Sequence, residues 1–307
     1  MIFSIAPKKR ILQRCGRWDD IKEKHKMNKI TLSCFSDEYA TPFEEQLKGV
    51  SALGFGFIEL RFIDGKNVST LTDEELEYTK ALLDKYSVKV SAIGSPLGKI
   101  KLDDDLDAHM ELCRRVCYIA NYFGARFIRM FSFYASEGKK ISEQREEVLS
   151  ALTKMLDIAD EYSVTLCHEN EAEIYGESPD ACLELLEYFG GRLGCVFDTG
   201  NFALGGFDTL KAYESLSQYV KYMHIKDGCA SGAIVPPGEG EGHIAEILKK
   251  HTDKYGPVTI SLEPHLDVFD GLNSIAAKSF DNPFVYASPS EAFTDAAKRL
   301  HAIVEKI

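Results

Sequence analysis

From Ile30 onward the chain alternates between two textures of apolar and polar positions. Short apolar runs bounded by polar or turn residues read as buried strands. The longer segments between them carry the three-to-four-residue apolar period of amphipathic helices. The runs are 30-ITLSCF-35, 57-FIELRF-62, 88-VKVSAIG-94, 126-RFIRMFSF-133, 164-VTLCHE-169, 194-GCVFD-198, 220-VKYMHIKD-227 and 258-VTISLE-263. Helices are predicted near 42–53, 71–87, 106–123, 142–162, from 178, near 209–217, 243–251 and from about 290 to 307. Two starts are signalled locally. Thr72 with Glu75 three residues on forms a capping box, and Ser178 before Pro179 places an N-cap ahead of a first-turn proline.

Alternating strand–helix units build parallel sheets. Eight of them over residues 29–307 match the count and size of a single-domain (β/α)8 TIM barrel, which typically takes about 250 residues. The loop after the first strand, 36-SDEYA, lacks the glycines of a dinucleotide-binding turn, which argues against a doubly wound sheet.

Composition narrows the partners. The chain has 307 residues, 45% of them hydrophobic, enough for a sizeable core. No apolar run approaches the roughly 20 residues of a membrane span. A net charge of −12 argues against nucleic acid or an anionic membrane as partner. The eight cysteines are scattered with no C-x-x-C pair, as in a reduced, cytoplasmic protein with buried thiols. Residues 1–26 differ, with eight Lys or Arg against three Asp or Glu, hence +5 against −17 for the remainder. They have no secretory h-region. Residues 1–28 are expected to be a peripheral basic extension, with Met27 as the functional start and the barrel in 29–307.

Barrel enzymes carry their sites at the C-terminal strand ends. Strand five ends in Glu169, strand six in Asp198, strand seven in His224 followed by Lys226 and Asp227, and strand eight in Glu263 followed by Pro264 and His265. Taken singly, each is an ordinary cap or salt-bridge partner. Four at successive strand ends would repel and desolvate one another around one mouth, and a cation relieves that. Three oxygens and one imidazole suit one divalent ion, Mn2+ first, with Mg2+, Co2+ or Zn2+ as alternatives.

The ordered set HEN, FDTGN, HIKD and SLEPH resembles the xylose-isomerase-like barrel superfamily. More narrowly it is similar to the sugar phosphate isomerase/epimerase group, which includes ketose 3-epimerases and inosose-processing enzymes. The likeness covers about residues 28–307. It implies Glu169, Asp198, His224 and Glu263 as metal ligands, with Glu169 and Glu263 doubling as the acid–base pair. The histidine that the family often has three residues after the aspartate is Asn201 here. Asparagine can hydrogen-bond a hydroxyl but cannot carry a proton. The arginine that epimerases have after the strand-seven histidine has no counterpart in KDGCASG.

The residues fit that chemistry independently. A metal-polarised ketose carbonyl stabilises the enediolate left when the neighbouring proton departs. Two carboxylates on opposite faces can remove and return it. Return on the other face epimerises, return at the next carbon isomerises, and loss of a β-substituent makes a lyase, such as a keto-inositol dehydratase or a 3-keto-glycoside eliminase. A non-catalytic sugar-binding barrel would need a broken ligand set. A histidine-rich, multi-zinc DNA-repair site of a related fold does not suit this acidic chain.

The substrate is expected to be a small carbohydrate, held by Asn201, Lys226, Glu239, Arg61 and His168, in a protein that forms a homo-oligomer or acts alone. Glu59 and Arg61 share one strand face, either as an ion pair ordering the mouth or as substrate contacts. His168, next to Glu169, points the other way on a straight strand. The loop 236-PPGEGEG-242 carries Glu239 and Glu241 instead of a basic residue, so it reads as a lid or sugar contact rather than a phosphate cradle. The long 266–288 connection is expected to cover the pocket or a dimer contact.

Overall fold

The computed structural model describes residues 29–267 and 283–307. The extension 1–28 and most of the 266–288 connection therefore lie outside the described residues. Eight parallel strands form one nearly closed sheet, ordered β1-β8-β7-β6-β5-β4-β3-β2. They are β1 (Ile30–Cys34), β2 (Phe57–Leu60), β3 (Lys89–Gly94), β4 (Phe127–Met130), β5 (Thr165–Glu169), β6 (Gly194–Asp198), β7 (Val220–Ile225) and β8 (Val258–Leu262). Around them run α1 (Phe43–Ala52), α2 (Asp73–Tyr86), α3 (Leu106–Phe123), α4 (Arg145–Tyr162), α5 (Pro179–Phe189), α6 (Thr199–Leu204), α7 (Thr209–Leu216), α8 (Ile244–Tyr255) and α9 (Pro289–Val304). This is the (β/α)8 TIM barrel that the alternation predicts. No helix among the described residues is long and apolar enough to cross a membrane.

The caps form as expected. The Thr72 hydroxyl accepts the Glu75 N–H while the Glu75 carboxylate accepts the Thr72 N–H. Ser178 caps α5 ahead of Pro179. Strand alternation separates two cores. Leu166, Phe197 and Met223 face the helices in the large outer cluster. Cys167, Val196 and Tyr222 join Ala92 in a small inner cluster, with Phe127 packed against it. The same inward parity, continued upward, delivers Glu169, Asp198 and His224 to the mouth.

Three features depart from the sequence pattern. The fourth apolar run leaves the sheet after Met130. Beyond it Phe131 N–H donates to Leu97 O at 2.8 Å and Phe133 N–H to Gly98 O at 2.9 Å, so two loops extend the wall above the barrel. Gly98 is required there, with φ +81° and an added Cβ only 2.0 Å from Phe131 O. Second, α6 starts directly at the end of β6, because the Asp198 side chain caps it through Asn201 N–H at 2.7 Å. Third, β2 stops at Leu60, and a short hairpin of Phe62–Ile63 against Lys66–Asn67 follows.

Candidate metal centre

Four strand ends bring together one atom each from Glu169, Asp198, His224 and Glu263, all within 4.8 Å of one another and all buried. His224 Nδ1 lies 2.9 Å from Glu169 Oε1, 3.2 Å from Glu263 Oε2 and 4.0 Å from Asp198 Oδ2. One N–H cannot serve three carboxylates. Asp198 Oδ2 and Glu263 Oε2 are buried and accept no hydrogen bond. Lys226 Nζ stands 3.2 Å from the first and 3.8 Å from the second. Buried acceptors left in this condition are costly, and a divalent ion among these oxygens and Nδ1 would satisfy them. Three carboxylates and an imidazole are the donor set of a hard-to-borderline ion.

Each glutamate is held from behind. Arg129 Nη1 donates to Glu169 Oε2 at 2.8 Å, and Arg61 Nη1 donates to Glu263 Oε1 at 2.7 Å. The other oxygen of each glutamate turns toward the centre. Burial alone would raise the Glu169 carboxyl, but His224 and Arg129 hold it well below the usual range. Glu263 behaves alike, with Lys226 and His265 overcoming burial. Asp198 goes the other way. Burial lifts it to about 7 against the pull of Lys226, with Glu169 and Glu263 adding to the rise. Burial works against a charged His224, yet Glu59 and Glu169 outweigh it and raise its pKa well above the ordinary value.

Other predicted residues fall into two groups. Asn201 Nδ2 lies 3.5 Å from Glu169 Oε1 and donates to Asn170 O at 2.8 Å, so it borders the cluster. Lys226 is part of it. Arg61 is buried among Asp37, Glu38 and Glu263 and stacks 4.1 Å from the Phe35 ring centroid, so it orders acids at the mouth. Glu59 and Arg61 do not pair with each other; Glu59 bonds His224 Nε2 at 3.0 Å. His168 is placed away from the centre. On the outer face of β5 its Nε2 meets Ser132 Oγ at 3.0 Å, and burial lowers its pKa to about 4. Glu239 also lies elsewhere, ion-paired at the exposed surface with Arg299 at 2.6 Å.

The glycine-rich loop folds onto the chain itself. The Asp227 carboxylate accepts backbone N–H groups from Gly228, Gly238, Gly240 and Gly242 at 2.8–3.1 Å. A Cβ at Gly240 would stand 2.4 Å from Asp227 Oδ1, which explains that glycine. Phe131 and Phe133 are both buried. Sequence reasoning missed Arg129, whose signal was its inward parity in 126-RFIRMFSF, opposite the rising Glu169 on the neighbouring strand.

The chain belongs to the xylose isomerase-like TIM barrel family, whose model matches residues 47–279. A 3-dehydroshikimate dehydratase from Bacillus anthracis is 21% identical over 175 residues, or 57% of this chain and 62% of that protein. The match thus spans under two thirds of that relative's length. Among solved structures, a D-allulose 3-epimerase from a Methylomonas species aligns with a TM-score of 0.70 at 16% identity, covering 91% of this chain and 98% of that one. A xylose isomerase-like barrel protein from Mycobacterium smegmatis, solved in complex with magnesium, aligns with a TM-score of 0.64 at 15% identity, covering 86% and 88%.

Proposed function

We propose that the protein is a divalent-metal-dependent isomerase or epimerase of a sugar, keto-sugar or cyclitol, with Mn2+ as the preferred ion. The observation that carries this reading is the pair Glu169 and Glu263. They reach one point from different strands, each with one oxygen on an arginine and one directed inward. The ion, held by these two with Asp198 and His224, would supply Lewis-acid polarisation of a substrate carbonyl. The chain's own part is proton movement. One glutamate, as the carboxylate, takes the proton beside the carbonyl, and the other, having first picked up a proton from solvent, delivers it from across the site, while Arg61 and Arg129 hold the two side chains in place. Lys226 and Asn201 hold substrate oxygens; Asn201 orients without exchanging protons. The loop amides spent on Asp227 favour an unphosphorylated substrate.

A lyase on the same site is the second reading, and the dehydratase relative favours it. Manganese-loaded protein incubated in deuterated water with ketoses, keto-inositols and 3-keto glycosides separates the two. Deuterium gained at carbon without loss of water or aglycone supports isomerase or epimerase action, and elimination supports the lyase. No exchange and no elimination across the panel would sink both. Glu263→Gln is expected to slow exchange by roughly 10²–10⁴-fold with a cooperative melt retained.

A further inference from the structure

The mouth does not end at the four ligands. Beneath them lies a buried carboxylate that the proposed chemistry does not use. Glu59 has no solvent exposure and accepts three donors. His224 Nε2 lies 3.0 Å from Oε2, Ser261 Oγ donates to the same oxygen at 2.7 Å, and Tyr222 OH donates to Oε1 at 2.8 Å. Tyr222, His224 and Ser261 are themselves buried.

The backbone is irregular at two of these positions. Between β2 and β3 the register shifts at Ile58/Glu59. Between β6 and β7 it shifts at Cys195/Val196, so that Val196 pairs with Tyr222. Such irregularities re-aim side chains at sites. Here they coincide with Glu59 and with its phenol donor. The imidazole is also clamped by rings: Phe35 meets it edge-on at 5.0 Å and Tyr222 at 5.5 Å.

We propose that Glu59 is a positioning residue for the metal centre, holding the His224 proton on Nε2 so that Nδ1 presents its lone pair to the ion. The proposal rests on the metal reading above and extends it below the ligands. A histidine ligand whose far nitrogen donates to a carboxylate is fixed in tautomer and ring rotation. Ser261 and Tyr222 hold that carboxylate in turn, so the arrangement is set before an ion arrives. Glutamine at this position keeps the shape but places an amide N–H group among three donors. Facing Nε2, that group favours the opposite tautomer, with the proton on Nδ1 where the ion belongs.

The test uses the full chain, stripped of metal and titrated with Mn2+ by calorimetry, as wild type and as Glu59→Gln. The expected result is a loss of Mn2+ affinity of about 10–100-fold, with cooperative melting of the metal-free variant retained. Nitrogen-15 NMR of the Mg2+-loaded proteins is expected to show the His224 proton on Nε2 in wild type and a changed tautomer in the variant. Equal Mn2+ affinity, or an unchanged tautomer, overturns the positioning role alone. Wild-type protein that binds no divalent ion overturns the metal reading itself and this role with it. Should Glu59→Gln fail to fold, Tyr222→Phe decides. It loosens Glu59, and a several-fold weaker Mn2+ affinity is expected; unaltered affinity counts against the role.

Discussion

Two buried arginines set the character of the site at the level of single residues. Arg129 and Arg61 each pair with one oxygen of a glutamate that moves a proton in the proposed chemistry. Removing one partner of a buried pair leaves an uncompensated charge, at a cost of about 3–5 kcal/mol. Arg129→Met is therefore expected to lose stability on that scale in urea melts of metal-free protein, and added Mn2+ should recover part of it. A melt indistinguishable from wild type would show that Glu169 does not depend on Arg129. The Lys226 ammonium has a different part. Its neighbours Asp198 and Glu263 are the two ligands with unsatisfied oxygens, so its charge offsets part of the repulsion between them.

Single elements show where the loops take their shape. The segment after β7 winds around Asp227, which gathers N–H groups from four glycines. Asp227→Ala is expected to expose residues 228–242 to limited proteolysis and to cost about 1–3 kcal/mol, with the barrel strands still protected. Protection of this loop equal to wild type would refute the anchoring. On α3, His109 Nε2 accepts the Gly98 N–H at 2.9 Å, which requires the neutral ring. Burial lowers its pKa to about 4, against about 6.5 in an unfolded chain. The unfolded chain thus takes a proton that the native state refuses. Stability is complete above pH 6.5 and falls as pH drops toward 4, by a total on the order of 3 kcal/mol. His109→Gln keeps an acceptor for Gly98 and cannot titrate. Its stability should vary less with pH across that window, as urea melts at pH 7 and pH 4.5 would report.

For the whole molecule, the barrel acts as a scaffold that holds a strained charge cluster. The described mouth gathers Asp37, Glu38, Glu59, Glu169, Asp198 and Glu263, all buried. Folding must hold these acids together, and a bound cation offsets their repulsion. Mn2+ at a hundred times its dissociation constant is expected to add about 2.7 kcal/mol of stability, read as a Tm rise of several degrees that chelator reverses. Asp198→Asn should abolish most of that rise. A Tm indifferent to Mn2+ in wild-type protein would contradict the site.

Much of this was determined by the sequence alone. Alternating apolar runs specified eight strands and the helices between them, and the caps at Thr72 and Ser178 marked two helix starts. Strand parity placed Glu169, Asp198, His224 and Glu263 on inward faces, because a strand turns successive side chains to opposite sides. The same parity turned His168 outward, although its neighbour is a ligand. Only the tertiary structure decided which inward residues meet. Arg61 reaches Glu263 across 202 positions of chain, and Glu59 reaches His224 across 165. Parity gives the face of a strand but not the height of a residue in the barrel. Height depends on register between neighbours, and on the shifts at Ile58/Glu59 and Cys195/Val196 that raise or lower one strand against the next. For that reason the ligands were legible from strand ends, while the carboxylate beneath His224 and the arginine behind Glu169 required the closed barrel.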